Sequence, residues 1–206
     1  MTDATGTSDR GGRPPVTSNL ELEQVALALF ADRGFAETTV DDIAAEAGIS
    51  RRTFFRYYAS KNDAVWGEFD RLLAGMERRL ADSAEGPLLE VVTDAIVAFN
   101  DFPAEAVAAH RTRMALVLHT PALQAHSALR YADWRAVIAR HAARVLDQPV
   151  EGFVPQLVAH VALAAAVTAY EQWLADESAD LPGLLTSTFD LTGWSGMVAP
   201  SSNTRG

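Results

Sequence analysis

Between Ala47 and Asn62 the chain carries Arg51, Arg52, Arg56 and Lys61 and no carboxylate, although the whole chain has a formal charge of −10. A guanidinium bonds phosphate oxygens, and it can bond the edge of guanine at two points, so a cationic island in an acidic chain points to a phosphate backbone. Arg51, Arg52, Thr53, Phe55, Arg56 and Tyr57 fall within two turns around inward-facing Phe54 and Tyr58. Such a set is poor core material and suits a helix that enters a DNA groove. The other chemistry-bearing residues are less suggestive. Asp41 and Asp42 are adjacent carboxylates, best read as partners of a positive helix end. His110, His119, His126, His141 and His160 show no HExxH spacing, and the chain has no cysteine, which removes disulfides, thiolate metal sites and cysteine nucleophiles together. No serine lies in a GxSxG turn and no glycine loop resembles a phosphate cradle. We therefore expect no catalytic residue, no metal and no cofactor.

The elements that must hold the cationic island are short helices. Ser18 with Glu21 has the spacing of a capping box, and Leu22, Val25, Ala26, Leu29 and Phe30 follow as one apolar stripe that Gly34 ends. Thr39 can cap a second helix whose inward face is Val40, Ile43, Ala44 and Ala47. Gly48 makes the turn, and Ser50 caps a third helix running to about Tyr58. Ser60, with Asp63 three later, opens a fourth helix predicted to run unbroken to about Ser83.

This segment resembles the DNA-binding domain of TetR-family transcriptional regulators. The resemblance is carried by Ala-Asp-Arg-Gly-Phe (31–35), Thr-Thr-Val-Asp-Asp-Ile-Ala (38–44), Ala-Gly-Ile-Ser (47–50), Thr-Phe-Phe-Arg-Tyr-Tyr (53–58) and Ser-Lys (60–61). Gly-Arg-Pro-Pro (12–15) and the run from Gly48 to Gly67 further resemble regulators of the mycofactocin system. The resemblance implies that Ser50, Arg51, Arg52, Thr53, Phe55, Arg56, Tyr57 and Lys61 form the DNA-binding face. Thr53 would donate to a phosphate, with Tyr57 and Lys61 making further backbone contacts. Arg51, Arg52 and Arg56 would read bases. Phe55 departs from the tyrosine often found there and can only pack on sugar or a thymine methyl.

The 206 residues divide, on this reading, into a flexible arm (1–16), the helix-turn-helix domain (17–64), a helical ligand-binding and dimerisation domain (65–192) and a flexible tail (193–206). The fold class is all-α, with about nine helices: Ala, Leu, Glu and Arg are plentiful, and 49% of the residues are apolar. Further helices are expected over 88–100, 104–118, 121–146, 155–175 and 181–191. No run approaches the ~18 uninterrupted apolar residues of a membrane span. Val158–Ala169 comes nearest but holds His160 and Thr168, so we expect no membrane partner, and a cytoplasmic location.

Three functions compete for the C-terminal two-thirds: a ligand sensor, an enzyme fused to a DNA-binding head, and a plain dimerisation bundle. The enzyme lacks any constellation to support it. For dimerisation, the small residues of the 155–175 helix allow close approach, and Leu157, Val161 and Ala165 with Leu184, Leu185 and Phe189 would make an intermolecular four-helix bundle. A two-fold dimer would then meet a palindromic double-stranded DNA operator in major grooves about one turn, ~34 Å, apart. For a ligand, Phe69, Met76, Phe99, Phe102, Met114, Trp134 and Trp173 suit an apolar cavity as well as they suit a packed core. A hydrophobic or amphipathic effector such as an acyl thioester would fit, with Arg111, Arg113 and Arg135 as candidates for an anionic head group. The sequence thus reads as a ligand-responsive, homodimeric repressor; the alternative is a constitutive DNA-binding dimer without an effector.

Overall fold

The computed structural model describes residues 18–83 and 86–191. The predicted arm, with Arg10 and Arg13, and the predicted tail lie outside the described residues. Among those described there are ten α-helices and no strand. The chain divides into two compact units between Gly67 and Glu68.

The first unit contains α1 (Asn19–Arg33), α2 (Val40–Glu46), α3 (Arg51–Tyr57) and α4 (Lys61–Trp66). Each begins at a side-chain cap. Ser18 and Glu21, and likewise Thr39 and Asp42, form capping boxes, while the hydroxyls of Ser50 and Ser60 accept from the N–H of Thr53 and Asp63. These bonds satisfy backbone donors that helices of six or seven residues would otherwise leave orphaned. Gly34 ends α1 and Gly48 makes the turn after α2, as expected, and both take positive φ. Leu22, Phe30, Ile43 and Phe54 are fully buried and bind the short helices into one core.

The fourth helix is not continuous. It stops at Gly67 (φ 52°, ψ −121°), and α5 starts afresh at Phe69. Two things require glycine there. The backbone conformation is one that side chains avoid, and a Cβ would lie 1.8 Å from a carboxylate oxygen of buried Glu23. Among the described residues the tally is therefore ten helices, and the helix begun at Lys61 does not run unbroken to Ser83.

The second unit comprises α5 (Phe69–Asp82), α6 (Leu88–Phe99), α7 (Val107–His119), α8 (Gln124–Leu146), α9 (Phe153–Ala175) and α10 (Leu181–Leu191), with single 3-10 turns leading into α7 and α8. The long α8 and α9 pack along each other, and α10 packs on α9. Ala159, Ala162, Ala165 and Ala169 are buried, so their small side chains serve close packing inside the subunit. This corrects the predicted dimer face: Ala165, Leu185 and Phe189 are at most 4% exposed and belong to the core, whereas Leu157 is exposed and Val161 and Leu184 are half-buried. By length and composition α9 could cross a membrane, contrary to the expectation from uninterrupted runs, but nine of its residues are buried in this unit.

Candidate nucleic-acid interface and effector site

The turn at Gly48 carries the chain from α2 into α3. Phe54, fully buried, and Tyr58, whose hydroxyl donates to the Asn19 carbonyl (3.2 Å), fix the rotation of α3 about its axis. That rotation leaves Arg51, Arg52, Phe55 and Arg56 exposed, with Thr53 and Tyr57 half-buried. The groups differ in how free they are. Arg51 donates to the Asp41 carboxylate at 2.8 Å and lies 5.4 Å from the centre of the Phe55 ring. Arg56 stacks on Tyr57 at 5.1 Å. Arg52 has no ion-pair partner among the described residues. Ser50 and Thr53 hydroxyls are hydrogen-bonded to each other at 2.9 Å, at the N-terminus of α3.

Lys61 does something other than expected. Its ammonium donates to the carbonyls of Phe35 (2.7 Å), Thr38 (3.0 Å) and Ala36 (3.3 Å), and lies 4.4 Å from the centre of the Phe35 ring. An ammonium has three donors, and all three are used. Lys61 therefore closes the loop between α1 and α2, and a phosphate contact would have to break that arrangement. Asp42 is likewise occupied: bonds from the Thr39 side chain and backbone hold its carboxyl below the usual carboxylate range.

In the second unit the seven predicted ligand residues do not share any one of the three described clefts. Phe102 and Trp173 line a cleft of about 220 Å3 together with His110. Met76 and Phe99 line another, of about 170 Å3, between α5 and α6. Phe69 meets Phe99 edge-on at 6.1 Å. Met114 and Trp134 are buried and line neither cleft. A third cleft, of about 320 Å3, lies between α5 and α8 and contains none of the seven. Arg111 is not available for a head group: it bonds the carbonyls of Trp173, Asp176 and Glu177 and stacks on Trp173 at 4.2 Å, so it caps the C-terminus of α9.

A buried polar chain flanks the first of these clefts. Tyr170 donates to the side-chain oxygen of Asn100, whose amide nitrogen donates to the Ile96 carbonyl at 2.7 Å. Because the one Tyr170 proton is thereby used, His110 Nε2 must be the donor in its 2.7 Å bond to the Tyr170 hydroxyl, which leaves Nδ1 unprotonated. Burial, helped by the Arg113 charge, holds the imidazole down to about 3, so it is neutral. Burial also raises Tyr170 above the usual phenol range.

Both units of the chain are similar to known proteins. Residues 24–63 match the family of bacterial regulatory proteins of the tetR type, and residues 86–193 match the MftR C-terminal domain. MftR of Mycobacterium tuberculosis, assigned to regulation of mycofactocin biosynthesis, is 45% identical over 186 residues, covering 89% of this chain and 93% of its own. The chain belongs to the TetR family. As a TetR-family transcriptional regulator it is not an enzyme. Among solved folds, FadR of Thermus thermophilus in complex with lauroyl-CoA superposes with a TM-score of 0.56 at 24% identity over 92% of this chain and all of its own. FadR of Bacillus subtilis with stearoyl-CoA does so with a TM-score of 0.60 at 16% identity, covering 84% and 97%.

Within this TetR-family chain, buried Glu23 and the Asn100–Tyr170–His110 chain have little signature in the sequence. Glu23 interrupts an apolar stripe, which was the sole hint of its burial. The polar chain joins residues up to 70 positions apart, and no local pattern announces it.

Proposed function

We propose that this regulator represses transcription from a palindromic operator as a homodimer in the cytoplasm, and is released by a hydrophobic or amphipathic effector such as an acyl thioester. One observation supports the DNA reading above all: α3, locked in rotation by Phe54 and Tyr58, turns Arg52 and Arg56 to solvent without a carboxylate partner among the described residues. The acyl-CoA complexes of the two FadR neighbours support the effector class. For dimerisation, Phe153 and Leu157 are exposed on α9, and the same apolar stripe continues through half-buried Val161 to exposed Ala164. An apolar stripe of this length is suited to the matching stripe of a second copy.

Fluorescence anisotropy on a duplex from upstream of the coding region tests the proposal. Selective, salt-sensitive binding is expected, abolished by lauroyl-CoA but not by coenzyme A alone. Absence of any duplex preference would refute it. A constitutive regulator is favoured by one feature: of the three described clefts, those of about 170 and 220 Å3 fall below the ~300–1,000 Å3 typical of ligand pockets, and the one of about 320 Å3 only just reaches it. Operator affinity that no acyl thioester alters would decide for that reading.

A further inference from the structure

Helical spacing sets Arg71, Gly75, Arg78 and Arg79 on one face of α5, because residues three, four and seven apart share a side. Facing them across the 170 Å3 cleft, α6 supplies Ala95, Ala98 and Phe99, and Leu72 and Met76 extend the apolar floor. No carboxylate lines this cleft. The other two described clefts are lined by Asp101 and Asp180, and by Asp70, Glu77 and Asp133. Arg71 is held by Glu68, but Arg78 and Arg79 are exposed and have no ion-pair partner among the described residues. In a chain of charge −10, clustered guanidiniums without counter-charge repel one another, and an anion relieves that repulsion.

Gly75 adds a second observation. A glycine in mid-helix weakens the helix relative to alanine. Here neither backbone nor crowding demands it: a Cβ would meet only the Arg78 side chain, at 3.9 Å. What the missing side chain does provide is open space between the arginines.

We infer that the cleft between α5 and α6 binds the phosphate-bearing head of an amphipathic ligand, with Arg78 and Arg79 gripping phosphate and Met76 and Phe99 receiving the adjoining apolar part. A guanidinium fork matches phosphate oxygens two at a time, and an apolar floor beside it selects an amphiphile over a free anion. The inference deepens the effector reading and rests on it for the choice of an acyl thioester; a phospholipid head offers the same chemistry.

The test uses the full-length protein and titrates lauroyl-CoA, laurate and short-chain phosphatidic acid against wild type, the Arg78→Gln/Arg79→Gln double variant and Gly75→Leu. Lauroyl-CoA should bind wild type at least tenfold more tightly than the double variant, while laurate binding changes less than threefold. Gly75→Leu should weaken lauroyl-CoA similarly without lowering Tm. If phosphatidic acid binds with the same arginine dependence and lauroyl-CoA does not, the site stands and the acyl thioester reading falls. If lauroyl-CoA binds in this arginine-dependent way but operator affinity is unmoved, the site again stands and release by effector is wrong. Equal binding by wild type and double variant of both lauroyl-CoA and phosphatidic acid, or a loss for laurate equal to that for lauroyl-CoA, would overturn the inference. So would a fall in the double variant's operator affinity without ligand, since the arginines would then serve DNA.

Discussion

Lys61 and Arg52 carry the same charge nine residues apart, yet their settings assign them different work. All three Lys61 donors end on carbonyls of the α1–α2 loop, so Lys61→Ala should cost about 2 kcal/mol of stability, the scale of bonds made by a charged group. Denaturant unfolding would register this, and an unchanged midpoint would return Lys61 to the phosphate backbone. Arg51 is shared with Asp41, so Asp41→Asn should free it and remove a negative charge, tightening binding to any duplex about threefold to tenfold in low-salt titrations. His110 gives a pH dependence of defined sign. Its folded pKa, about 3, lies below the ordinary value of 6.5, so between those limits the unfolded chain binds a proton that the folded chain refuses. Stability should therefore fall on acidification below pH 6.5, by about 2 kcal/mol between pH 7 and pH 5, and His110→Gln should flatten that slope in unfolding curves. The arginines were legible in the sequence because charge sign is local information. The task of Lys61 was not, because its acceptors lie 23 to 26 residues away.

At the scale of elements, the caps were legible: Ser18, Thr39, Ser50 and Ser60 each use a bond that spans three residues, and three residues are within reach of a sequence pattern. The break at Gly67 was not. Val65, Trp66, Phe69, Leu72, Leu73 and Met76 continue at helical spacing across it, and Gly75 in the same run sits inside an intact helix. Glu23, forty-four positions away, distinguishes the two glycines, because its carboxylate occupies the place of a Gly67 side chain. Gly67→Ala should therefore destabilise the chain by about 1–3 kcal/mol, with Gly75→Ala neutral or stabilising. A thermal melt of both variants checks the pair, and equal effects would mean that the break is permissive. The face of α9 was ambiguous for a related reason. A helix apolar all round offers no stripe to read, and only the packing of α8 and α10 tells core Ala165 from exposed Leu157.

For the whole molecule, the fold class was readable from composition and the capped head, while the division of labour among clefts depended on contacts between distant helices. If the exposed stripe of α9 joins two copies, Leu157→Glu should yield monomers in analytical ultracentrifugation and lower operator affinity at least a hundredfold, because one recognition helix then grips where two did. A dimer that survives the change would move the interface elsewhere. Base reading by α3 rests on Arg52 and Arg56, which have no carboxylate partner among the described residues, and it is tested by selecting duplexes from a random pool and then titrating wild type and Arg52→Ala on the selected and a scrambled site. We predict that wild type prefers the selected palindrome by ~10³ or more, and that Arg52→Ala loses about 1–3 kcal/mol on that palindrome and far less on the scrambled duplex. Equal losses on both duplexes, or a wild-type protein that selects no sequence even at low ionic strength, would contradict it.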